Sequence, residues 1–172
     1  MKKLFSILAI SLLTVTVISC DNRDDTTVID NTAHAQVKDV TGTFTSGGGY
    51  KLTQPLSISN TTVVLVYRNV GTGSGAIWQQ IPKTFYLDDN LSFPADRQLD
   101  YNFDFTTTDV QIRTEANFNQ STQMTNDEKS QFLVNQTFRI VLVPGVAGKT
   151  STPVDYSDYN AVIKYFNIND KL

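Results

Sequence analysis

Alternating acidic and amide side chains are the first pattern in this sequence that could support chemistry. Asp100, Asn102 and Asp104 follow a D-x-N-x-D spacing, which is typical of the start of a calcium loop. Such a loop also needs a central glycine and an acid at its twelfth position, where Phe105 and Gln111 stand. A strand with its polar side chains toward water explains the same spacing. We therefore expect no metal and no cofactor, with calcium binding by these three residues as the alternative.

Paired carboxylates are the remaining route to catalysis. The chain has one histidine, His34, which precedes the predicted folded domain, so a Ser-His-Asp triad is not expected. Asp104 and Glu115 could be the acid pair of a glycoside hydrolase, whose carboxyl groups stand about 5 to 9 Å apart. Most acids of an acidic domain are simply solvated. The sequence thus favours a protein with no catalytic residues, and an envelope glycoside hydrolase is the alternative.

Aromatic side chains offer a different chemistry, which is binding. The chain has one tryptophan, seven tyrosines and ten phenylalanines. Trp78 follows the glycine-rich segment 71–75, and we take Trp78 and Tyr67 as candidate ligand-binding residues, because an exposed ring can stack on a sugar. The alternative is that the tryptophan packs in a core between sheets.

A glycine-rich segment near the C-terminus resembles a phosphate-binding loop only in part. Residues 145–150 end in Gly-Lys-Thr, but Val143 stands where the loop needs its first glycine. The segment 151–153 that follows contains Pro153 and does not begin a helix, so no helix N-terminus would face a phosphate. We expect a surface loop and no nucleotide.

The elements that must position these residues are mostly strands. Apolar and polar residues alternate with a period of two, and glycine, asparagine, aspartate and proline separate the segments. Seven strands are predicted: 37–45, 50–58, 61–70, 76–87, 99–107, 110–118 and 137–143. Within the third, the continuous apolar run 63–67 indicates a central strand that is covered on both faces.

Two helices accompany the strands. Thr125 and the acidic residues after it predict a short capped helix over 125–133, before the last strand. Tyr159, Val162, Ile163 and Phe166 form one apolar stripe on a C-terminal amphipathic helix that begins near residue 157 and covers an edge or open face. Strands without strand-helix-strand alternation predict a mainly β fold, an antiparallel β-sandwich that forms a single domain over 37–172.

The N-terminus is typical of a secretory leader. Lys2 and Lys3 precede an apolar run over 4–18, which at fifteen residues is short for a membrane-spanning helix of about 20. The residues Val17-Ile18-Ser19-Cys20 resemble the lipobox of bacterial lipoproteins. This resemblance implies that 1–19 is a signal peptide, that cleavage precedes Cys20, and that Cys20 carries the covalent lipid that anchors the protein to the outer membrane.

A polar segment separates the anchor from the domain. Low hydrophobicity over 20–36 predicts a flexible tether. Its acidic start resembles the surface-export signals of Bacteroidota lipoproteins, which implies exposure at the cell surface, and a periplasm-facing lipoprotein is the alternative. Asp25-Thr26-Thr27 resembles the O-glycosylation site of that phylum, which implies modification of Thr26.

The body of the chain, over 61–166, resembles small Bacteroidota cell-surface lipoproteins of unknown function. The segments that carry the likeness are VVLVYR at 63–68, IWQQIPKTFY at 77–86, YNFDF at 101–105, DVQI at 109–112, FRIVLVP at 138–144 and DYNAVIKYF at 158–166. Some relatives have a collagen-like tract after the lipobox, and this chain has none. The resemblance implies no activity and no catalytic residue.

The net charge narrows the classes of partner that the protein is expected to bind. Removal of the leader leaves 12 basic and 17 acidic side chains, a net charge of −5. A negative protein without a basic patch does not attract nucleic acid. We therefore expect a non-enzymatic binding, adhesion or assembly module that contacts an envelope protein or a polysaccharide.

The lipobox interpretation predicts the effect of one substitution. Cys20→Ala removes the sulfur that would carry the acyl chains, so the protein should move from the membrane fraction to the soluble fraction of the cell. Ser19→Gly is the matched control, because it keeps a small residue before Cys20, and it should stay with membranes. Retention of Cys20→Ala in the membrane fraction would refute the interpretation.

Overall fold

The predicted strands form two β-sheets that pack face to face. The computed structural model describes residues 35–71, 75–88, 90–145 and 154–169, and the secondary structure of 27–28. The strands are β1 (Thr27–Val28), β2 (Gln36–Gly42), β3 (Lys51–Ser57), β4 (Val63–Asn69), β5 (Trp78–Gln80), β6 (Lys83–Tyr86), β7 (Gln98–Phe105), β8 (Asp109–Ala116) and β9 (Gln136–Val143). The helices are α1 (Asn126–Phe132) and α2 (Tyr159–Tyr165). The predicted mainly β, sandwich-like fold is confirmed.

The two sheets differ in size. The five-stranded sheet has the order β1-β3-β8-β7-β6, and the four-stranded sheet has the order β2-β9-β4-β5. Neighbouring strands are antiparallel, except that the two-residue β1 pairs in parallel with β3. Because β1 lies within the segment 20–36, two residues of the predicted tether pair with the sheet.

The segment 76–87 does not form the one strand that its pattern predicts. It divides at Ile81 and Pro82 into β5, which pairs with β4, and β6, which pairs with β7 in the other sheet. Proline has no backbone N–H for a strand ladder, and the chain crosses between the sheets at this point. Ile81 is buried there, in the core between the sheets. This division and the short β1 explain why the described residues contain nine strands and not about seven.

The paired strands β4 and β9 are buried on both faces, as the run 63–67 predicts. Val64 and Val66 of β4 point into the core between the sheets, whereas Leu65 and Tyr67 point to the outer face. The strand β9 alternates in the same way, with Ile140 among its inner residues. Six residue pairs join the strands, from Val63 opposite Val143 to Arg68 opposite Phe138.

Both helices are held by side-chain caps. Thr125 and Glu128 form a reciprocal capping box at the start of α1, which confirms the helix predicted over 125–133. At the start of α2, the Asp158 carboxylate accepts hydrogen bonds from the backbone N–H groups of Asn160 and Ala161. The helix α2 packs on the outer face of the four-stranded sheet, so the prediction that it covers an open face is confirmed.

Arg97 connects the segment before β7 to the start of α1 through hydrogen bonds. Its side chain is 1% exposed, and its guanidinium donates to both carboxylate oxygens of Glu128, at 2.7 and 3.0 Å. It also donates to the carbonyl oxygens of Asp88 and Gln123. The hydrogen bonds from Arg97 hold the pKa of Glu128 below its ordinary value, against the opposing effect of burial.

Neutralising Glu128 should therefore destabilise the fold in a pH-dependent way. Glu128→Gln keeps the capping-box shape but leaves Arg97 without a counter-charge, which should lower the free energy of unfolding at pH 7 by about 2 kcal/mol. Because the folded-state pKa lies below the unfolded value of about 4.3, the ionised carboxylate stabilises the protein above that pH. The wild-type advantage should shrink as the pH falls below about 4.

Urea unfolding of the wild type and of Glu128→Gln from about pH 3 to about pH 7, which spans the ordinary carboxylate pKa of about 4, measures this difference. Asp127→Asn is the matched control, since it removes an exposed charge from the same helical turn, and it should have little effect. A Glu128→Gln penalty that is the same at all these pH values would contradict the assignment.

Candidate functional site

The predicted calcium residues lie on the outer face of the five-stranded sheet, where each bonds to a neighbouring side chain. Asp100 accepts a hydrogen bond from Thr84, and Asn102 donates to Glu115 at 2.9 Å. Asp104 forms an ion pair with Arg113. Within the described residues, no group of three or more histidine, cysteine or acidic side chains could hold a metal ion. The calcium alternative gains no support from this geometry.

The candidate hydrolase pair is linked by an arginine. Arg113 pairs with Asp104 and, at 3.0 Å, with Glu115. These hydrogen bonds raise the pKa of Arg113. The two carboxylates thus belong to a surface charge cluster on an open sheet face. A hydrolase needs one of its two acids protonated and both directed at a bound sugar, and nothing in this arrangement supplies that.

Tyr67, the second of the two candidate ligand-binding residues, is wholly buried. Its exposed fraction is 0%, because α2 covers this part of the outer face. The hydroxyl donates to the backbone oxygen of Tyr156 at 2.8 Å, and the ring packs edge-on against Tyr159. Burial raises the pKa of the Tyr67 hydroxyl. The ring therefore has no free face for a sugar in this structure.

Trp78 is half-buried beside the start of α2. The guanidinium of Arg139 lies 4.3 Å from the centre of its ring, and the Tyr159 ring packs against it at 5.8 Å. A cavity of about 260 Å³ borders Trp78 and the residues 157–160. Trp78 therefore joins α2 to β5, and its contact with a ligand stays a prediction.

Arg139 organises this outer cluster. It donates from two nitrogens to the two carboxylate oxygens of Asp39, both at 2.7 Å, and from the third to the hydroxyl of Tyr159 at 2.6 Å. The hydrogen bonds that Arg139 donates to Asp39 raise the pKa of the guanidinium, against the effect of burial. The charge of Arg139 is thus balanced within the protein, and the role of this residue is structural.

A cavity on another part of the molecule was not predicted from the sequence. It has a volume of about 600 Å³ and opens where β4 ends, α1 ends and β9 begins. The residues that matter for its chemistry are Arg68, Asn69, Gln79, Phe85, Phe132 and Asn135. Asn135 adopts a left-handed backbone conformation (φ 50°), which asparagine tolerates better than most residues, in the turn from α1 to β9.

Arg68 is the charged group of this cavity, and it is 6% exposed. Nε and Nη2 donate to the Oε1 atom of Gln136 at 2.9 and 2.7 Å, and Nη2 also donates to the Gln131 carbonyl oxygen at 2.7 Å. The guanidinium carbon lies 4.8 Å from the centre of the Tyr101 ring. Burial lowers the pKa of Arg68.

A sequence signal for this site does exist. Residues 64, 66 and 68 share one face of β4, so an arginine continues the inward-facing positions of two valines that face the core. The alternation in the run VVLVYR therefore places a cation on the inward face of a central strand, at the end of that run. Its partners at 131 and 136 are far away in sequence, and nothing local indicates them.

No family model, curated protein or solved structure matches the chain. Across the described ranges, neither helix has the length and apolar character needed to cross a bilayer. Function must therefore be argued from the site geometry.

The compensation of Arg139 leads to a stability prediction. Asp39→Asn removes the carboxylate that pairs with the buried guanidinium of Arg139 and should lower the free energy of unfolding by about 3 kcal/mol. The emission of Trp78, the one tryptophan of the chain, reports the transition. Glu115→Gln, which also replaces an arginine-paired carboxylate by an amide, should have little effect because that pair is exposed. Equal losses for both variants would contradict this account of Arg139.

Proposed function

We propose that this protein is a lipid-anchored cell-envelope module that binds a polysaccharide or an envelope protein and performs no catalysis. Cys20 attaches it to outer-membrane lipid, with the domain on the cell surface or, alternatively, facing the periplasm. Support for the anchor comes from the lipobox-like residues 17–20. The Cys20 and Thr26 positions lie outside the described residues.

The observation that carries the binding proposal is the cavity at Arg68. Its volume of about 600 Å³ lies within the range of small-molecule sites, about 300 to 1,000 Å³. It combines one buried cation with amide side chains and two aromatic rings. Convergent polar groups in a concave site of this size are typical of ligand recognition.

A hydrolase is the second candidate from the sequence, and the structure adds little to it. Asp104 and Glu115 share the guanidinium of Arg113 on an exposed face, and neither lines the cavity at Arg68. We propose no nucleic-acid or nucleotide partner, because the net charge is negative and the 145–150 segment lacks the first glycine of a phosphate loop.

A glycan array probed with the purified full-length lipoprotein, together with a pull-down from intact cells, tests this proposal. We expect retention on glycans or on one envelope protein and no release of sugar from glycosides. The double variant Asp104→Asn, Glu115→Gln should bind as the wild type does. No binding in either assay, together with hydrolysis of a glycoside by the wild type but not by the double variant, would establish the hydrolase instead.

A further inference from the structure

Three arginines are buried in the described part of the chain, and they differ in how their charge is balanced. Arg97, Arg139 and Arg68 are 1%, 7% and 6% exposed. Arg97 pairs with Glu128 and Arg139 with Asp39, each at 2.7 Å. Within the described residues, no carboxylate forms such a pair with Arg68. The fold thus supplies an internal anion for two buried guanidinium groups and leaves the third with neutral acceptors.

The hydrogen-bond inventory of Arg68 shows which atoms are open. A guanidinium has five N–H groups, and the bonds to Gln131 and Gln136 use those on Nε and Nη2. Nη1 donates to no described residue. Among the described side-chain nitrogens and oxygens, one atom is both fully buried and without a hydrogen-bond partner, and this atom is Nε of Arg97. Nη1 of Arg68 also has no partner but is not such an atom, so it keeps some solvent-accessible surface. Because Arg68 lines the cavity, we place that surface at its wall.

Burial of a cation without a paired anion is costly, and the surroundings of Arg68 offer neutral acceptors and aromatic rings. Taking a charge out of water carries a large free-energy cost. The rings of Phe85, Tyr101 and Phe132 lie 4.8 to 5.6 Å from the guanidinium carbon and offer cation–π contacts. An anion that enters the cavity would instead form a charge-assisted hydrogen bond with Nη1, which is stronger than a neutral one.

We propose that this cavity binds the carboxylate of an acidic sugar residue, such as a uronate in a polysaccharide, through Nη1 of Arg68. This inference rests on the proposed binding function and names its ligand. One guanidinium matches one carboxylate in charge. Gln79 lies directly opposite Arg68 in the β4–β5 pair, and Asn69 and Asn135 also line the cavity, so amide groups are available for the sugar hydroxyls.

Calorimetric titration of the full-length protein at pH 7 and fixed ionic strength tests the proposal. The probes are methyl glucuronide, methyl glucoside, which lacks only the carboxylate, and acetate, which lacks the sugar. Methyl glucuronide should bind at least about tenfold more tightly than either of the others, as the loss of a charged hydrogen bond implies. Arg68→Gln should abolish that preference, whereas Arg113→Gln, on the other sheet, should keep it.

A second variant covers the possibility that Arg68→Gln does not fold. Gln79→Glu places a carboxylate beside Arg68, so it should keep or raise the melting temperature and abolish uronide binding. Gln98→Glu, which adds the same charge on the five-stranded sheet, should bind as the wild type does. Uronide binding that survives Gln79→Glu would overturn the proposal.

The outcomes also separate this inference from the proposed function. Equal affinity for glucuronide and glucoside would overturn the carboxylate assignment and leave a sugar-binding module standing. Acetate binding as tightly as the glucuronide would overturn the sugar assignment. Loss of all binding on the glycan array and in the cell pull-down would remove the proposed function itself.

Discussion

The pairing of β4 with β9 is the interaction on which the rest of this structure depends. Both strands are buried on both faces, so the pair supplies inner residues to the core between the sheets and outer residues to the layer beneath α2. Their six aligned residue pairs run from Val63 to Arg68 on β4. The turn that leads from α1 into β9 meets the end of β4, and this meeting point forms the cavity.

The same strand pair carries two buried arginines on opposite faces. Arg139 of β9 faces outward, where Asp39 of the adjacent β2 lies opposite it in register and balances its charge. Arg68 of β4 faces inward, where its register neighbours are Phe138 and Gln79, neither of which is charged. The desolvation of a buried ion pair can cost as much free energy as the attraction between its charges contributes, but burying a charge without a partner costs more still. The difference between the two faces is what gives the cavity its chemistry.

Much of the fold follows from local patterns, because alternation and capping are local. The period of two predicts the strands, the continuous run 63–67 predicts a two-faced strand, and Thr125 with Glu128 predicts the start of α1. The crossing at Ile81 and Pro82 escapes this reasoning, since the β pattern continues through both residues. Composition also could not reveal that α2 covers Tyr67, because burial depends on which distant element packs there.

The candidate site is harder to predict than the fold for the same physical reason. Alternation places Arg68 on the inner face of β4, but its bonds to Gln131 and Gln136 span 63 and 68 positions of sequence. Whether an acidic side chain lies beside a buried arginine likewise depends on contacts between residues that are far apart in the sequence. The three acidic or amide residues of β7 show the converse, because their spacing resembles a metal loop while their partners on adjacent strands account for them.

Side-chain nitrogen NMR of the arginines during titration with methyl glucuronide, with assignment from single substitutions, tests whether the charge of the buried Arg68 is left for a ligand. The Arg68 Nη signals should shift with saturation, while those of Arg97 and Arg139, already paired with acids, should stay unchanged. Unshifted Arg68 signals, or equal shifts at all three arginines, would contradict this role of Arg68.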